Sequence, residues 1–170
     1  MIYLISDTHF NHTNIIKYCN RPFKNIEEMN QALINNWNRV VNDKDIIYHC
    51  GDFSFGKAED ISSIVSQLNG KIYLTRGNHD RGWFKECGFE DIQTMYELEY
   101  KGLKLLLRHK PIYVNGYDKI ICGHTHEKNI PDNRLVNVSV EQINYTPISI
   151  DTLIEMIKIK DNIISRLIYT

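Results

Sequence analysis

A chain of 170 residues lies within the size range of one domain and can bury a hydrophobic core without disulfide bonds or structural metals. We therefore predict a single domain over residues 1–170. Its 42% hydrophobic, 24% charged and 11% aromatic residues are typical of a globular protein and exclude a disordered or fibrous chain. Twenty basic against 21 acidic residues give a formal net charge of −1, which provides no global field for holding a long nucleic acid.

Short runs of β-branched and aromatic residues predict strands at 2–6, 45–50, 71–75, 103–108, 118–122 and 135–139. Two amphipathic patterns predict helices. One follows the capping-box pair Asn25 and Glu28, and the other covers about 58–69, with Gly70 behind its C-terminus. A hairpin turn is predicted at 101–102, and Asp151 is the predicted N-cap of a C-terminal helix. This order predicts an α/β domain with parallel strand pairs and antiparallel edges.

The apolar runs and the first residues together predict a cytoplasmic location. No apolar run approaches the ~20 residues that span a bilayer, so no membrane partner is expected. Residues 1–6 lack a basic region and look like a first strand rather than a signal peptide. The four cysteines have no CxxC spacing, so neither a thiolate zinc site nor a redox pair is expected.

Side chains that can bind metals follow five of the predicted strands. In α/β sheets, ligands bind in the crevice at the carboxyl ends of the strands, so we expect these loops to meet at one place. In chain order, the residues are Asp7 and His9, then Asp52, then Asn78, His79 and Asp80, then His109, and finally His124 and His126.

The local spacing in these loops supports one shared site. At 7–9 and 124–126, two candidate ligands stand two residues apart, and in an extended chain this spacing sends both side chains to the same side. Gly51, Gly77 and Gly123 each stand one residue before the first candidate of their loop, where a missing Cβ allows a sharp exit from the strand and a close backbone approach.

The candidate donors indicate the kind of metal. Two carboxylates, four imidazoles and one carboxamide suit hard or borderline divalent ions rather than copper(I) or an iron–sulfur cluster. Seven protein ligands exceed what one ion binds while keeping a position open for water, so two divalent ions are expected. Manganese is the expected metal, and iron, zinc, nickel, cobalt or magnesium would also suit these donors.

The ordered motifs carry a resemblance to a known family. Asp-x-His at 7–9, Gly-Asp at 51–52, Gly-Asn-His-Asp at 77–80, a lone His within 107–111 and Gly-His-Thr-His at 123–126 are similar to the full motif set of the calcineurin-like metallophosphoesterases. Each motif alone is of weak or moderate specificity, whereas all five in order form a strong signal over about residues 1–140. The resemblance implies a β-sandwich flanked by helices, the four-layer αββα fold.

The resemblance also implies a role for each candidate residue. One metal would be held by Asp7, His9 and His126, and the other by Asn78, His109 and His124. Asp52 would bridge the two ions. His79 would act near the leaving group without binding metal, and Asp80 would orient it.

The implied activity is hydrolysis of phosphate diesters or monoesters by a metal-dependent enzyme. Two cations ~3.5–4 Å apart can clamp the reacting oxygens and lower the pKa of a bound water from ~15.7 toward ~7, so a metal-bridging hydroxide is the expected nucleophile. The expected substrate is a small phosphoester such as a nucleotide, and no extended nucleic-acid surface is evident. A catalytically silent metal-binding scaffold or protein-interaction domain of the same fold is the alternative, disfavoured because His79 and Asp52 are both present.

Four further residues have competing interpretations. Arg21 and Arg81 are weak candidates for substrate phosphate, since arginine suits bidentate binding but is also common on surfaces. His12 is either a substrate contact or an ordinary loop residue. His49, within its predicted strand, is more simply explained as a core or supporting residue than as a ligand.

Overall fold

The computed structural model describes residues 1–168, except for the side chains of 83 and 164–168. Strands and helices alternate in the first half of the chain, and most of the later strands follow one another directly. The strands are β1 (Ile2–Ile5), β2 (Ile46–His49), β3 (Lys71–Thr75), β4 (Asp91–Gln93), β5 (Met95–Tyr100), β6 (Leu103–Arg108), β7 (Lys119–Cys122), β8 (Leu135–Asn137) and β9 (Ile148–Ser149). The α-helices are α1 (Ile15–Tyr18), α2 (Ile26–Val40), α3 (Ala58–Val65) and α4 (Ile150–Ile168), and a 3-10 helix covers Gly82–Glu86.

The strands form two sheets. The first has the order β4-β3-β2-β1-β9, in which β1 to β4 are parallel and β9 runs antiparallel to β1. The second has the order β5-β6-β7-β8, with β6, β7 and β8 parallel and β5 antiparallel to β6. The predicted mixed α/β architecture, with two sheets flanked by helices, is thus confirmed.

Two hydrophobic cores hold these layers together. One face of the first sheet packs against α2 and α3, with Trp37 of α2 fully buried in this core. The other face, which carries Leu4, packs with Leu105 and Leu107 of the second sheet. Leu153 of α4 joins the second core. Both faces of the first sheet are therefore covered, as expected for parallel strands joined by helices.

Helix α2 begins as its sequence predicts. The side chain of Asn25 accepts a hydrogen bond from the backbone N–H of Glu28, and the Glu28 carboxylate accepts one from the N–H of Lys24. Met29 and Leu33 face the core. The cap satisfies N–H groups that have no partner within the helix, and the apolar face supplies the packing.

Three details differ from the sequence-based expectation. Helix α3 ends at Val65 rather than near 69, because i to i+3 turns replace the helix there and the side chains of Ser66 and Gln67 bond to the carbonyl of Ser63. Strands β4 and β9 were not predicted and have only three and two residues. The N-terminal cap of α4 is Ser149, whose Oγ accepts from the N–H of Thr152, so Asp151 lies in the first turn instead.

The carboxyl ends of strands from both sheets meet at one edge of the sandwich. The N–H of Asp7 bonds to the carbonyl of Gly51, 3.0 Å away, and the N–H of Gly123 bonds to the carbonyl of His109 at 3.0 Å. A bridge between Ser6 and Ser139 joins the two sheets. The loops after β1, β2, β3, β6 and β7 therefore share one edge. No helix among residues 1–168 is long and apolar enough to cross a membrane.

Candidate metal centre

Five of the seven candidate ligands have a left-handed backbone conformation. Their φ angles are 56° at Asp7, 51° at His9, 55° at Asp52, 71° at His124 and 51° at His126. L-residues adopt this conformation at a cost of about 1–3 kcal/mol each, and it occurs mainly where surrounding structure enforces it. The predicted extended chain at 7–9 and 124–126 is thus wrong, although the two side chains of each pair still meet at one site.

Three glycines permit the close approach of the loops. A Cβ on Gly51 would lie 2.7 Å from Nδ1 of His109. A Cβ on Gly123 would collide with the Oγ of Ser6 and the Oδ2 of Asp7, and a Cβ on Gly77 would collide with Asp52. The predicted role of these glycines in backbone approach is confirmed. Larger residues would push the carboxylates out of the positions that they occupy.

The first ligand group consists of Asp7, His9 and His126. Oδ2 of Asp7 accepts hydrogen bonds from the N–H of His124 and the hydroxyl of Ser139, each at 2.9 Å. This leaves Oδ1 facing Nε2 of His9 and Nε2 of His126, each 3.9 Å away. The three side chains present ligand atoms within 4.8 Å of one another, a spacing that fits one cation.

Unpartnered atoms in this group support the fit to a metal. Oδ1 of Asp7 and both ring nitrogens of His9 are buried without a hydrogen-bond partner. Burial lowers the pKa of His9 to about 2, so its ring is neutral, and burial raises the pKa of the Asp7 carboxyl. A buried polar atom without a partner is costly, and a cation bound here would satisfy Oδ1 of Asp7 and Nε2 of His9.

The second ligand group is built around His109. Nδ1 of His109 lies 3.0 Å from the carbonyl of Cys50, and because a carbonyl only accepts, Nδ1 must donate. Nε2 is thereby turned toward Nδ1 of His124, 3.2 Å away, which in turn lies 3.2 Å from the amide of Asn78. The predicted set Asn78, His109 and His124 is thus together, and a half-turn of the Asn78 amide would present Oδ1 in the same place.

Asp52 lies between the two groups. Its Oδ2 is 3.7 Å from Nε2 of His9 and 3.4 Å from Nε2 of His109. Burial acts to raise the pKa of Asp52, but the hydrogen bond and charge of His109 outweigh it and hold this pKa below its usual range. The carboxylate is therefore charged and central, as a bridging ligand requires.

His79 lies at the edge of the same cluster. Its Nε2 is 3.9 Å from Oδ2 of Asp52, its backbone N–H donates to Oδ1 of Asp52 at 2.9 Å, and 43% of its side chain is exposed. The ring borders a cleft of about 640 Å³ that is also lined by His9, His124 and His126. A group at this place can reach a substrate in the cleft.

Asp80 does not orient His79, contrary to the role that the resemblance implied. Its carboxylate accepts hydrogen bonds from three backbone N–H groups, those of Asp52 at 2.8 Å, Phe53 at 2.9 Å and Gly77 at 2.8 Å. Burial raises its pKa to about 6 despite these bonds. Asp80 is a structural acceptor that joins the loops after β2 and β3, since its oxygens are taken by the backbone.

Arg21 is also corrected, because it does not face the cleft. Its side chain is fully buried and donates to the carbonyls of Thr8 at 2.8 Å and Asp7 at 2.7 Å. Its remaining donors contact Glu141, at 2.9 Å from Nε and 2.8 Å from Nη2. The guanidinium therefore holds the backbone of the loop that carries Asp7 and His9, and it does not bind substrate.

Sequence reasoning missed Glu141 and Ser139. Oε1 of Glu141 lies 3.1 Å from Nδ1 of His126, on the ring nitrogen that does not face Asp7. Cys19 lies within 4.8 Å of both His126 and Glu141. Neither Glu141 nor Ser139 belongs to a motif, so only the folded chain identifies them.

The three remaining candidates, His49, His12 and Arg81, lie outside the two ligand groups. His49 is buried, accepts from the N–H of Gly51 at 3.2 Å and lies 3.0 Å from the hydroxyl of Thr8, so it supports the loops. His12 lines the cleft, so substrate contact stays a prediction for it. Arg81 is exposed just before the 3-10 helix, and its contact with substrate also stays a prediction.

Two proteins are similar to this chain over most of its length. The uncharacterized protein MJ1445 of Methanocaldococcus jannaschii is 48% identical over 169 residues, which cover 92% of this chain and 91% of that protein. A protein of unknown function from Aquifex aeolicus, AQ665, has a crystal structure that matches with a TM-score of 0.76 and 28% identity, covering 92% of this chain and 98% of that one.

Two further findings concern the family. Phosphodiesterase MJ0936 of Methanocaldococcus jannaschii is 30% identical over 110 residues, which cover 52% of this chain and 62% of that protein. The pattern of the calcineurin-like phosphoesterase superfamily domain matches residues 1–140, the span that holds all five motifs. The chain therefore belongs to the calcineurin-like phosphoesterase superfamily.

Proposed function

We propose that this chain hydrolyses phosphate esters with the help of two divalent metal ions. The observation that carries this proposal is the position of one carboxylate oxygen. Oδ2 of Asp52 is within 3.7 Å of His9 in the first ligand group and within 3.4 Å of His109 in the second. A single atom placed between two sets of ligands is suited to bridge two ions.

The donors fit the proposed ions. Asp7, His9 and His126 would hold one ion, Asn78, His109 and His124 the other, and Asp52 both. Oxygen and nitrogen donors without thiolates suit manganese, the ion that we propose, as well as iron, zinc, nickel, cobalt or magnesium. When bound, such ions neutralise charge on a phosphoryl group and make a coordinated water more acidic.

The protein itself would supply orientation and a proton. The left-handed loops and the carboxylate of Asp80 fix the ligands before substrate arrives, so little reorganisation accompanies the reaction. His79, anchored through its backbone N–H to Asp52, would donate a proton or hydrogen bond to the departing oxygen. His79 is thus the proposed catalytic residue, and Asp80 is a structural support.

The cleft favours a small ester. Its volume of about 640 Å³ would hold one nucleotide-sized group rather than a long polymer. A relative of this chain carries the name phosphodiesterase, which supports including diesters among the substrates. The net charge of −1 agrees with a compact substrate held by the metal centre.

A metal-reconstituted turnover screen tests the proposal. The manganese-loaded protein would be assayed with p-nitrophenyl phosphate, bis-p-nitrophenyl phosphate, cyclic nucleotides and short DNA, together with the variant Asp52→Asn. Asp43→Asn is a matched control, since Asp43 is exposed and precedes β2 at the end opposite the site.

We expect turnover in the wild type and in Asp43→Asn, and loss of both metal binding and turnover in Asp52→Asn. Retention of two tightly bound ions by Asp52→Asn would contradict the bridging role. A wild-type protein that binds two ions but turns over none of these esters would instead be a metal-binding scaffold.

A further inference from the structure

We propose that the cleft binds a planar, uncharged leaving group, such as an aryl or nucleoside group, against a wall of four rings. This inference rests on the proposed phosphoesterase function and names its substrate class. The aromatic wall consists of His79, Phe55, His12 and Tyr18, all of which line the cleft.

The rings of the aromatic wall form a continuous path from the reacting centre to the cleft mouth. The centroid of His79 lies 4.8 Å from that of Phe55. Phe55 stacks on His12 at 4.0 Å with an interplanar angle of 20°, and the edge of Tyr18 follows at 6.2 Å and 70°. A group that departs beside His79 would therefore lie along this path.

The wall is held in place by the backbone. The N–H of Phe55 donates to the carbonyl of Phe10 at 2.8 Å, and the N–H of His12 donates to the carbonyl of His9 at 3.1 Å. Tyr18 ends helix α1, whose Ile15 is buried in the core. The backbone that carries these rings is thus held in place, which lowers the ordering cost of binding a ligand.

Tyr18 is the accessible end of the wall. It is 72% exposed, which is high for a large aromatic side chain. Aromatic rings prefer offset-stacked or edge-to-face partners. A planar group of the substrate can supply such a partner, whereas a saturated ring of similar size cannot.

The charges around the cleft favour a neutral group. Among the described residues that line it, Lys128 is the single lysine or arginine, and Glu127 stands beside it. Little fixed positive charge is therefore available in the cleft to bind a second phosphate, so polyphosphate chains are disfavoured. The faces of the aromatic rings are left as the main contact for the leaving group.

Two non-hydrolysable phosphonates separate planarity from size. Phenylphosphonate and cyclohexylphosphonate carry the same number of carbon atoms and the same acidic group, and only the first is planar. Their dissociation constants would be measured by calorimetry on the manganese-loaded full chain. The variants are Tyr18→Ala, Tyr18→Phe and, as a matched control outside the cleft, Tyr113→Ala.

We expect the wild type to bind phenylphosphonate roughly fivefold or more tightly than cyclohexylphosphonate, the lower end for stacking one ring on another. Tyr18→Ala should lower the ratio, while Tyr18→Phe and Tyr113→Ala should keep it. A wild-type ratio near one, or a ratio that Tyr18→Ala leaves unchanged, would overturn the inference.

Turnover of bis-p-nitrophenyl phosphate by the same preparation separates the two proposals. Turnover combined with a ratio near one would remove the aromatic wall from substrate binding and leave the phosphoesterase proposal intact. A retained ratio without turnover of any ester would contradict the phosphoesterase proposal while keeping a binding site for planar groups.

Discussion

Oε1 of Glu141 lies 3.1 Å from Nδ1 of His126, on the side of the ring turned away from Asp7. A charged carboxylate only accepts hydrogen bonds, so His126 donates Nδ1–H and its Nε2 is left toward the proposed metal. Nη2 of Arg21 lies 2.8 Å from the same oxygen of Glu141. A carboxylate that fixes the tautomer of a metal-binding histidine is a frequent support of metal sites.

The variant Glu141→Gln should therefore weaken metal binding at the Asp7 group. We expect a loss of about 10- to 100-fold in affinity, the usual effect of removing such a support. Calorimetric titration of the metal-free protein with manganese would measure it. Glu99→Gln, at an exposed position of β5, is the control, and equal affinities of the two variants would exclude the support role.

Metal binding should release protons and become tighter as pH rises. Burial acts to lower the pKa of His126, but its hydrogen bonds to Cys19 and Glu141 and the charge of Asp7 raise this pKa to about 10. Its proton therefore stabilises the metal-free fold fully below pH 6.5, the ordinary value, and that contribution is lost as pH rises through about 10.

At pH 7.5 this proton must leave His126 before Nε2 can bind an ion. Calorimetry in two buffers of different ionisation enthalpy should show at least one proton released on manganese binding. Identical binding enthalpies in the two buffers would contradict a charged His126.

The variant His79→Ala should keep both ions and lose most turnover. His79 lies beside the cluster, and general acid catalysis typically contributes about 10²–10⁴-fold to a rate. Metal content by mass spectrometry of the native protein and kcat on bis-p-nitrophenyl phosphate would be compared with the wild type. A kcat within twofold of the wild-type value would remove His79 from the mechanism.

The variant Asp80→Ala should destabilise the metal-free fold. It would leave the N–H groups of Asp52, Phe53 and Gly77 without their acceptor. At about 1–3 kcal/mol for each unsatisfied buried group, the free energy of unfolding should fall by about 3 kcal/mol or more. Urea denaturation of the metal-free protein would measure the change, with Asp43→Ala as the surface control. A loss below about 1 kcal/mol would show that the loops do not depend on this carboxylate.

The sequence predicted elements whose signals are local. The Asn25 cap, the apolar face of α2 and the 101–102 turn of the hairpin appear where they were expected. Strands β4 and β9 were missed, because so few residues carry no periodicity and pairing with β3 and β1 alone makes them strands.

The order of motifs along the chain was enough to predict the family, and the position of the donors after strands was enough to predict that they meet at one edge. Each donor follows a strand, and strand ends converge in such sheets. The backbone conformation of the ligand loops, and the residues that support the ligands, were decided only by tertiary structure. The left-handed angle at Asp7, the backbone acceptor role of Asp80 and the burial of Arg21 against Glu141 all arise from contacts between segments far apart in the chain. Glu141 lies 120 residues from Arg21 in sequence, and no local pattern records a contact that exists only once both sheets are packed.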